Sequence, residues 1–237
     1  NGDSIESAFF MVPKDTGHHS LPRFVCLVRF KVLASDVSKR MLPLSLLNLP
    51  NLSTLSLDNN QVFGPLPNHV SGLLNLNVLS LRSNFLNGTL PSWLFNLPSL
   101  VRLNLGDNQF IGEIGEFKSN SLEYLHLEYN KLHGSIPRSL LNLPNLSTLY
   151  LRNNQLVGPL PVHISSLNLV ELDLSSNFLN GTLPSWLFNH EVFNQGRFWM
   201  CRNLTSTAKK KLTPNLTQIS KPSRKRSTPL APSMWQD

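Results

Sequence analysis

The chain has 237 residues, 41% of them hydrophobic and 15% charged, with two cysteines and a formal net charge of +7. That length allows one or two domains, and Cys26 and Cys201 stand too far apart along an elongated chain to be bridged, which excludes a disulfide-stapled scaffold. The charge is concentrated: residues 194–237 hold nine Lys/Arg against one acid, and the remainder has 12 basic against 13 acidic residues, which argues against nucleic-acid binding by the body of the chain.

Residues 1–41 read as an irregular N-terminal segment. Its apolar stretch from Leu21 to Ala34 carries Arg23, Arg29 and Lys31, a poor core for a secretory signal. Leu42-Pro43 lies 94 residues before Ile136-Pro137, which suggests a degenerate repeat from Val28 to Pro43.

From residue 42 to 192 the pattern changes to about six repeats of L-x-x-L-x-L-x-x-N-x-L-x-G-x-L-P, starting at Leu52, Leu76, Leu100, Leu122, Leu146 and Leu169. A period of about 24 residues signifies a solenoid. Alternation such as Leu55-x-Leu57 has period 2, so each repeat opens with a short strand, expected at 53–57, 77–81, 101–105, 123–127, 147–151 and 170–174. Stacked strands make one parallel sheet on the concave side. Each strand ends at an asparagine: Asn60, Asn84, Asn108, Asn130, Asn154 and Asn177. A buried amide needs partners, and a ladder of Asn side chains can supply them to the turning backbone. Glycine then marks a bend, and proline stops the strand. Outer segments such as Ser92–Leu97 space Leu94 and Leu97 for a short helix or 3₁₀ turn. The expected fold is therefore an α/β leucine-rich repeat solenoid, curved, with helical or 3₁₀ segments on the convex face.

Residues 193–237 form a basic tail, expected to be disordered because it combines few apolar residues with several prolines. Little packing against the solenoid is expected of residues 1–20 and 204–237. The tail has no 18-residue apolar run, so no membrane span is read in it.

The N-x-L-x-G-x-[LI]-P segment, the repeats reading Gly-Thr-Leu-Pro-Ser-Trp-Leu-Phe at 88–95 and 181–188, and the irregular repeat Gly112–Ser121 resemble plant-type leucine-rich repeat proteins. Within that group the chain is similar to part of the ectodomain of plant receptor-like proteins that detect pathogens. The resemblance implies a cell-surface, membrane-anchored glycoprotein of defence or development. It would bind a protein or peptide ligand and signal through a co-receptor. It also implies a signal peptide, cysteine-paired caps and one membrane span, none of which is seen in this sequence. Two alternatives stay open: a secreted inhibitor of cell-wall-degrading enzymes, and an ectodomain fragment of a leucine-rich repeat receptor kinase.

Residues 45–55 recur unchanged at 139–149, and residues 84–96 at 177–189, so a block of four repeats is duplicated. The copies differ where strand side chains face solvent, as in Asp58 against Arg152. Candidate ligand contacts on the concave face are Arg82, Arg102, Tyr124, His126, Glu128, Tyr129, Tyr150 and Arg152, since Tyr and Arg are favoured at binding hot spots. Sequons mark Asn51, Asn87, Asn145, Asn180, Asn203 and Asn215 as glycosylation candidates. No nucleophile, phosphate-loop, zinc or kinase motif is found. No enzymatic activity, metal or cofactor is expected.

Overall fold

A computed structural model describes residues 52–164 and 168–188, with shorter pieces at 10–11, 26–29, 40–42, 47–48 and 198–199. Most of the N-terminal segment and all of the tail after residue 199 lie outside the described residues, so most of what was expected of these two segments lies there too.

Each repeat contributes a strand to a first, nine-stranded sheet. Leu52–Ser56, Val78–Ser80, Arg102–Asn104, Tyr124–His126, Thr148–Tyr150 and Glu171–Asp173 follow one another in parallel. Leu55, Leu79, Leu103, Leu125, Leu149 and Leu172 sit at the same register position and are all buried. The strand leucines and the leucines that open each repeat form one continuous core with Phe110, Leu132, Leu156 and Leu179. No single repeat buries its apolar side alone, so stacking is what closes this core.

The segment after each ladder asparagine was expected to bend. It also forms strands. Val62–Pro65, Phe85–Thr89, Gln109–Glu113, Lys131–Gly134, Gln155–Gly158 and Phe178–Leu179 pair in parallel as a second sheet, whose seventh strand is Arg40–Met41. Leu86 faces the core, while Phe85 and Asn87 on either side of it are exposed. Gly88 and Gly181 hold positive φ, +77° and +87°, where an L side chain would be strained. On the convex side the outer segments coil as 3₁₀ turns at Leu73–Asn75 and Ser92–Asn96 and as single α-turns at Arg138–Leu141 and Ser185–Phe188. Trp93 Nε1 donates to Pro67 O at 2.7 Å and Trp186 Nε1 to Pro161 O at 2.8 Å, tying each duplicated outer segment to the repeat before it.

Both sheets run beyond the 42–192 range. Cys26–Arg29 pairs in parallel with Leu52–Ser56, and Arg40–Met41 pairs with Val62–Phe63. Those strands fit a degenerate repeat ahead of residue 42. Phe10–Met11 pairs antiparallel with Cys26–Leu27, so this part of residues 1–20 does join the first sheet. At the other end Phe198–Trp199 pairs with Leu172–Asp173.

The third repeat carries Gly115 where its neighbours have proline. A β-carbon there would lie 2.6 Å from Phe95 Cε2, so the missing side chain makes room for the Phe95 ring. Phe117 closes edge-on against it, with ring centroids 5.0 Å apart.

Candidate ligand-binding face

The open side of the first sheet is a grid whose columns run across the strands. Register sets Arg102, Tyr124, Thr148 and Glu171 in one column, and Asn104, His126, Tyr150 and Asp173 in the next. One pair of neighbours in each column is in contact, and one contact crosses between the columns. The Arg102 guanidinium lies 5.0 Å from the centre of the Tyr124 ring, a cation–π distance. His126 and Tyr150 stack with centroids 4.5 Å apart at 40°. Tyr150 donates its hydroxyl to the Glu171 carboxylate, and burial, together with that bond, pushes the phenol above its ordinary range. Glu171 was not singled out from the sequence. Its place in the repeat, equivalent to Arg102, Tyr124 and Thr148, was the available signal.

At the rim, each residue before the ladder asparagine adopts the left-handed conformation: Asn59, Ser83, Asp107, Tyr129, Asn153 and Ser176, with φ of 54–57°. Asn and Asp tolerate this region well. Tyr129, expected among the concave-face contacts, is therefore the bulky member of a left-handed turn at the rim. It is 37% exposed, and the Arg152 guanidinium lies 5.6 Å over its ring. Arg82 pairs through Nε with Asp107 Oδ2 at 2.9 Å.

Glu128 departs further from expectation. It is only 7% exposed and does not belong to the solvent-facing strip. Gly106 occupies the equivalent position in the preceding repeat, and the Glu128 carboxyl folds over it; a β-carbon on Gly106 would sit 2.9 Å from Oε1 and 3.3 Å from Asn104 Oδ1. Oε2 is buried with no hydrogen-bond partner among the described residues. Burial raises this carboxyl to about 7, with Arg82 opposing and Asp107 and Asp173 adding to the rise. His126 beside it is lowered to about 4 by burial and by Arg82. Burial also raises Asp58 and Asp173, against hydrogen bonds from Ser80 and Arg82 to the first and from Ser175 to the second.

The ladder asparagines hold this face in place. Asn130 Nδ2 donates to Leu105 O at 3.0 Å, Leu127 O at 3.2 Å and Glu128 O at 3.3 Å, and its Oδ1 accepts from Phe110 N at 3.0 Å. Asn84, Asn108, Asn154 and Asn177 repeat the arrangement, each bonding its own turn and the repeat before it. Asn60 bonds its own turn through Leu57 O and Asp58 O. Of the sequon asparagines, Asn87, Asn145 and Asn180 are exposed, and Asn145 Nδ2 donates to Asn120 O at 2.8 Å. Asn51, Asn203 and Asn215 lie outside the described residues.

Among the described residues no three potential metal ligands cluster, and no helix is long and apolar enough to cross a membrane. The face presents aromatic rings, the guanidinium groups of Arg82, Arg102 and Arg152, and carboxylates.

Leucine-rich repeat family descriptions match residues 50–110 and, repeat by repeat, 121–143, 145–167 and 168–190. No curated protein matches at a significant level. Among solved structures, a TDR receptor is 30% identical with a TM-score of 0.60, over 71% of this chain and 29% of that one. The Arabidopsis receptor kinase HAESA, solved with the peptide hormone IDA and the co-receptor SERK1, is 29% identical with a TM-score of 0.57, over 72% of this chain and 33% of that one. PEPR1, solved with AtPEP1, is 28% identical with a TM-score of 0.55, over 71% and 29%. The chain thus spans a third or less of the length of these receptors.

Proposed function

This chain belongs to the leucine-rich repeat family, with plant receptor ectodomains as its structural neighbours, and on that premise we propose that its concave face captures an extended peptide. In a plant cell-surface receptor of defence or development, signalling would then fall to a partner. The observation that carries this reading is the two-column grid, where Arg102 stacks on Tyr124 and His126 on Tyr150 across adjacent strands. Stacked rings are rigid and amphipathic, so they offer contact area at low entropic cost. Arg102 and Arg152 would pair with ligand carboxylates. Arg82 is already bonded to Asp107 and contributes shape more than charge. Glu128 would act from beneath the surface, through the setting of Arg82 and His126.

The test is selection of peptides from a random displayed library on the full chain, followed by calorimetry on the selected peptides. Tyr124→Ala and Tyr150→Ala should each weaken binding by about 2 kcal/mol or more if these are hot spots. Peptides that bind both variants as tightly as the parent would place capture elsewhere on the molecule.

A further inference from the structure

The second sheet leaves a row of apolar side chains in solvent: Phe85 is 52% and Phe178 59% exposed, joined by Met41, Ile111 and Val157. These are most of the large apolar side chains exposed anywhere among the described residues. Their placement is not random. Phe63 is the register partner of Phe85, Val157 of Phe178, and Ile111 of Thr89. In each duplicated block the sequence on this face is Phe-Leu-Asn-Gly-Thr, 85–89 and 178–182. The strand's period of 2 puts Phe, Asn and Thr on the same outward side while Leu86 and Leu179 turn into the core. Phe85, Asn87 and Thr89 are all exposed, as are Phe178, Asn180 and Thr182.

The geometry points to Asn87 and Asn180 as N-glycosylation sites whose first sugar lies on the phenylalanine two residues earlier. A residue-to-residue rise of about 3.3 Å spaces that ring and the asparagine about 7 Å apart on one face, within a sugar's reach of the amide. The C–H-rich side of a pyranose is weakly positive and the ring face weakly negative, so the two attract, and the sugar removes apolar surface from water. In the attachment step Asn Nδ2 bonds to the anomeric carbon of a lipid-pyrophosphate-linked oligosaccharide. The anomeric C–O bond breaks, lipid pyrophosphate leaves with the electron pair, and the amide gives up one proton; nothing is oxidised. Asn145 is the internal control. It has a sequon and is exposed, but its amide is bonded to Asn120 O and the residue two before it is the buried Leu143. Glycans at Asn87 and Asn180 would cover the second sheet and leave the first sheet open to ligand.

The assignment rests on the cell-surface reading, because this modification occurs only in the secretory lumen. The test separates the two by expressing the full chain behind a secretory leader in plant cells, so that occupancy no longer depends on where the natural protein goes. Localisation of the tagged chain is a separate measurement. Glycopeptide mass spectrometry should find Asn87 and Asn180 occupied in most molecules. Replacing both by Gln should lower Tm by about 3 °C in the parent but not in a Phe85→Leu/Phe178→Leu background, a comparison that isolates the ring–sugar term. In the parent glycoprotein the protons of the first sugar should be shifted upfield by ring current, which requires no variant. Unoccupied Asn87 and Asn180 would overturn the assignment. Occupied sites with unshifted sugar protons, or equal Tm losses in both backgrounds, would overturn the role of the rings.

Discussion

Glu128 follows the strand that ends at His126, and burial disfavours the charged form of both side chains. A carboxyl raised from 4.5 to about 7 carries no penalty below pH 4.5, loses stability as pH rises, and has lost it fully above about 7. At 1.36 kcal/mol per pKa unit, the loss is on the order of 3 kcal/mol. A histidine lowered from 6.5 to about 4 does the opposite: its stability is whole above 6.5 and is lost as pH falls toward 4. The windows overlap, so the two slopes nearly cancel in the parent. Urea unfolding against pH should therefore separate them. Glu128→Gln should leave stability rising with pH between 4 and 6.5, and His126→Gln should leave it falling between 4.5 and 7. Parallel profiles for the two variants would refute the assignment. Tyr129 offers a second test at this scale. Its left-handed φ of 55° costs about 1 kcal/mol in a non-glycine residue, and Asn, which stands at the equivalent rim positions 59 and 153, tolerates it. Tyr129→Asn should stabilise the fold by roughly that amount and, if the rim contacts ligand, weaken peptide binding.

At the scale of the element, the irregular third repeat rests on Gly115. An alanine there would drive its β-carbon into Phe95, so Gly115→Ala should cost about 1–3 kcal/mol, and adding Phe95→Leu should recover much of it. Denaturant midpoints of the single and double variants check this. The first sheet was legible because Leu-x-Leu and the closing asparagine repeat with little error, and a leucine one turn of the solenoid away supplies each contact. The second sheet was harder to read. Val62-Phe63-Gly64-Pro65 contains the two residues that usually argue against a strand, and its alternation lasts only three or four residues. The burial of Glu128 was not legible at all, because it depends on Gly106, a repeat away, having no side chain to oppose it. The sequence marked Glu128 as a residue of the concave face; its depth is a property of the neighbouring repeat.

Across the whole molecule, stability is close to a sum of repeats and their interfaces, and the ladder is the clearest interface term. Asn130→Ala would remove three donated bonds and leave Phe110 N, a buried donor, without its acceptor. A cost of about 3 kcal/mol follows, read as a lower denaturant midpoint. The duplication kept this scaffold identical and varied the open face, Asp58 to Arg152 and Ser56 to Tyr150. On the second sheet it kept the Phe-Leu-Asn-Gly-Thr segment unchanged. The first-sheet face thus exchanged charge and size between the copies, while the second-sheet strands stayed apolar or unchanged, Val62-Phe63 becoming Leu156-Val157, which fits a ligand on the first sheet and a shield on the second. Hydrogen–deuterium exchange of the full chain, with and without a library-selected peptide, tests this division most directly. The account predicts slowed exchange in Arg102–Asn104, Tyr124–His126 and Thr148–Tyr150, with Phe85–Thr89 and Gln155–Gly158 unchanged. Protection confined to the second-sheet strands would contradict it.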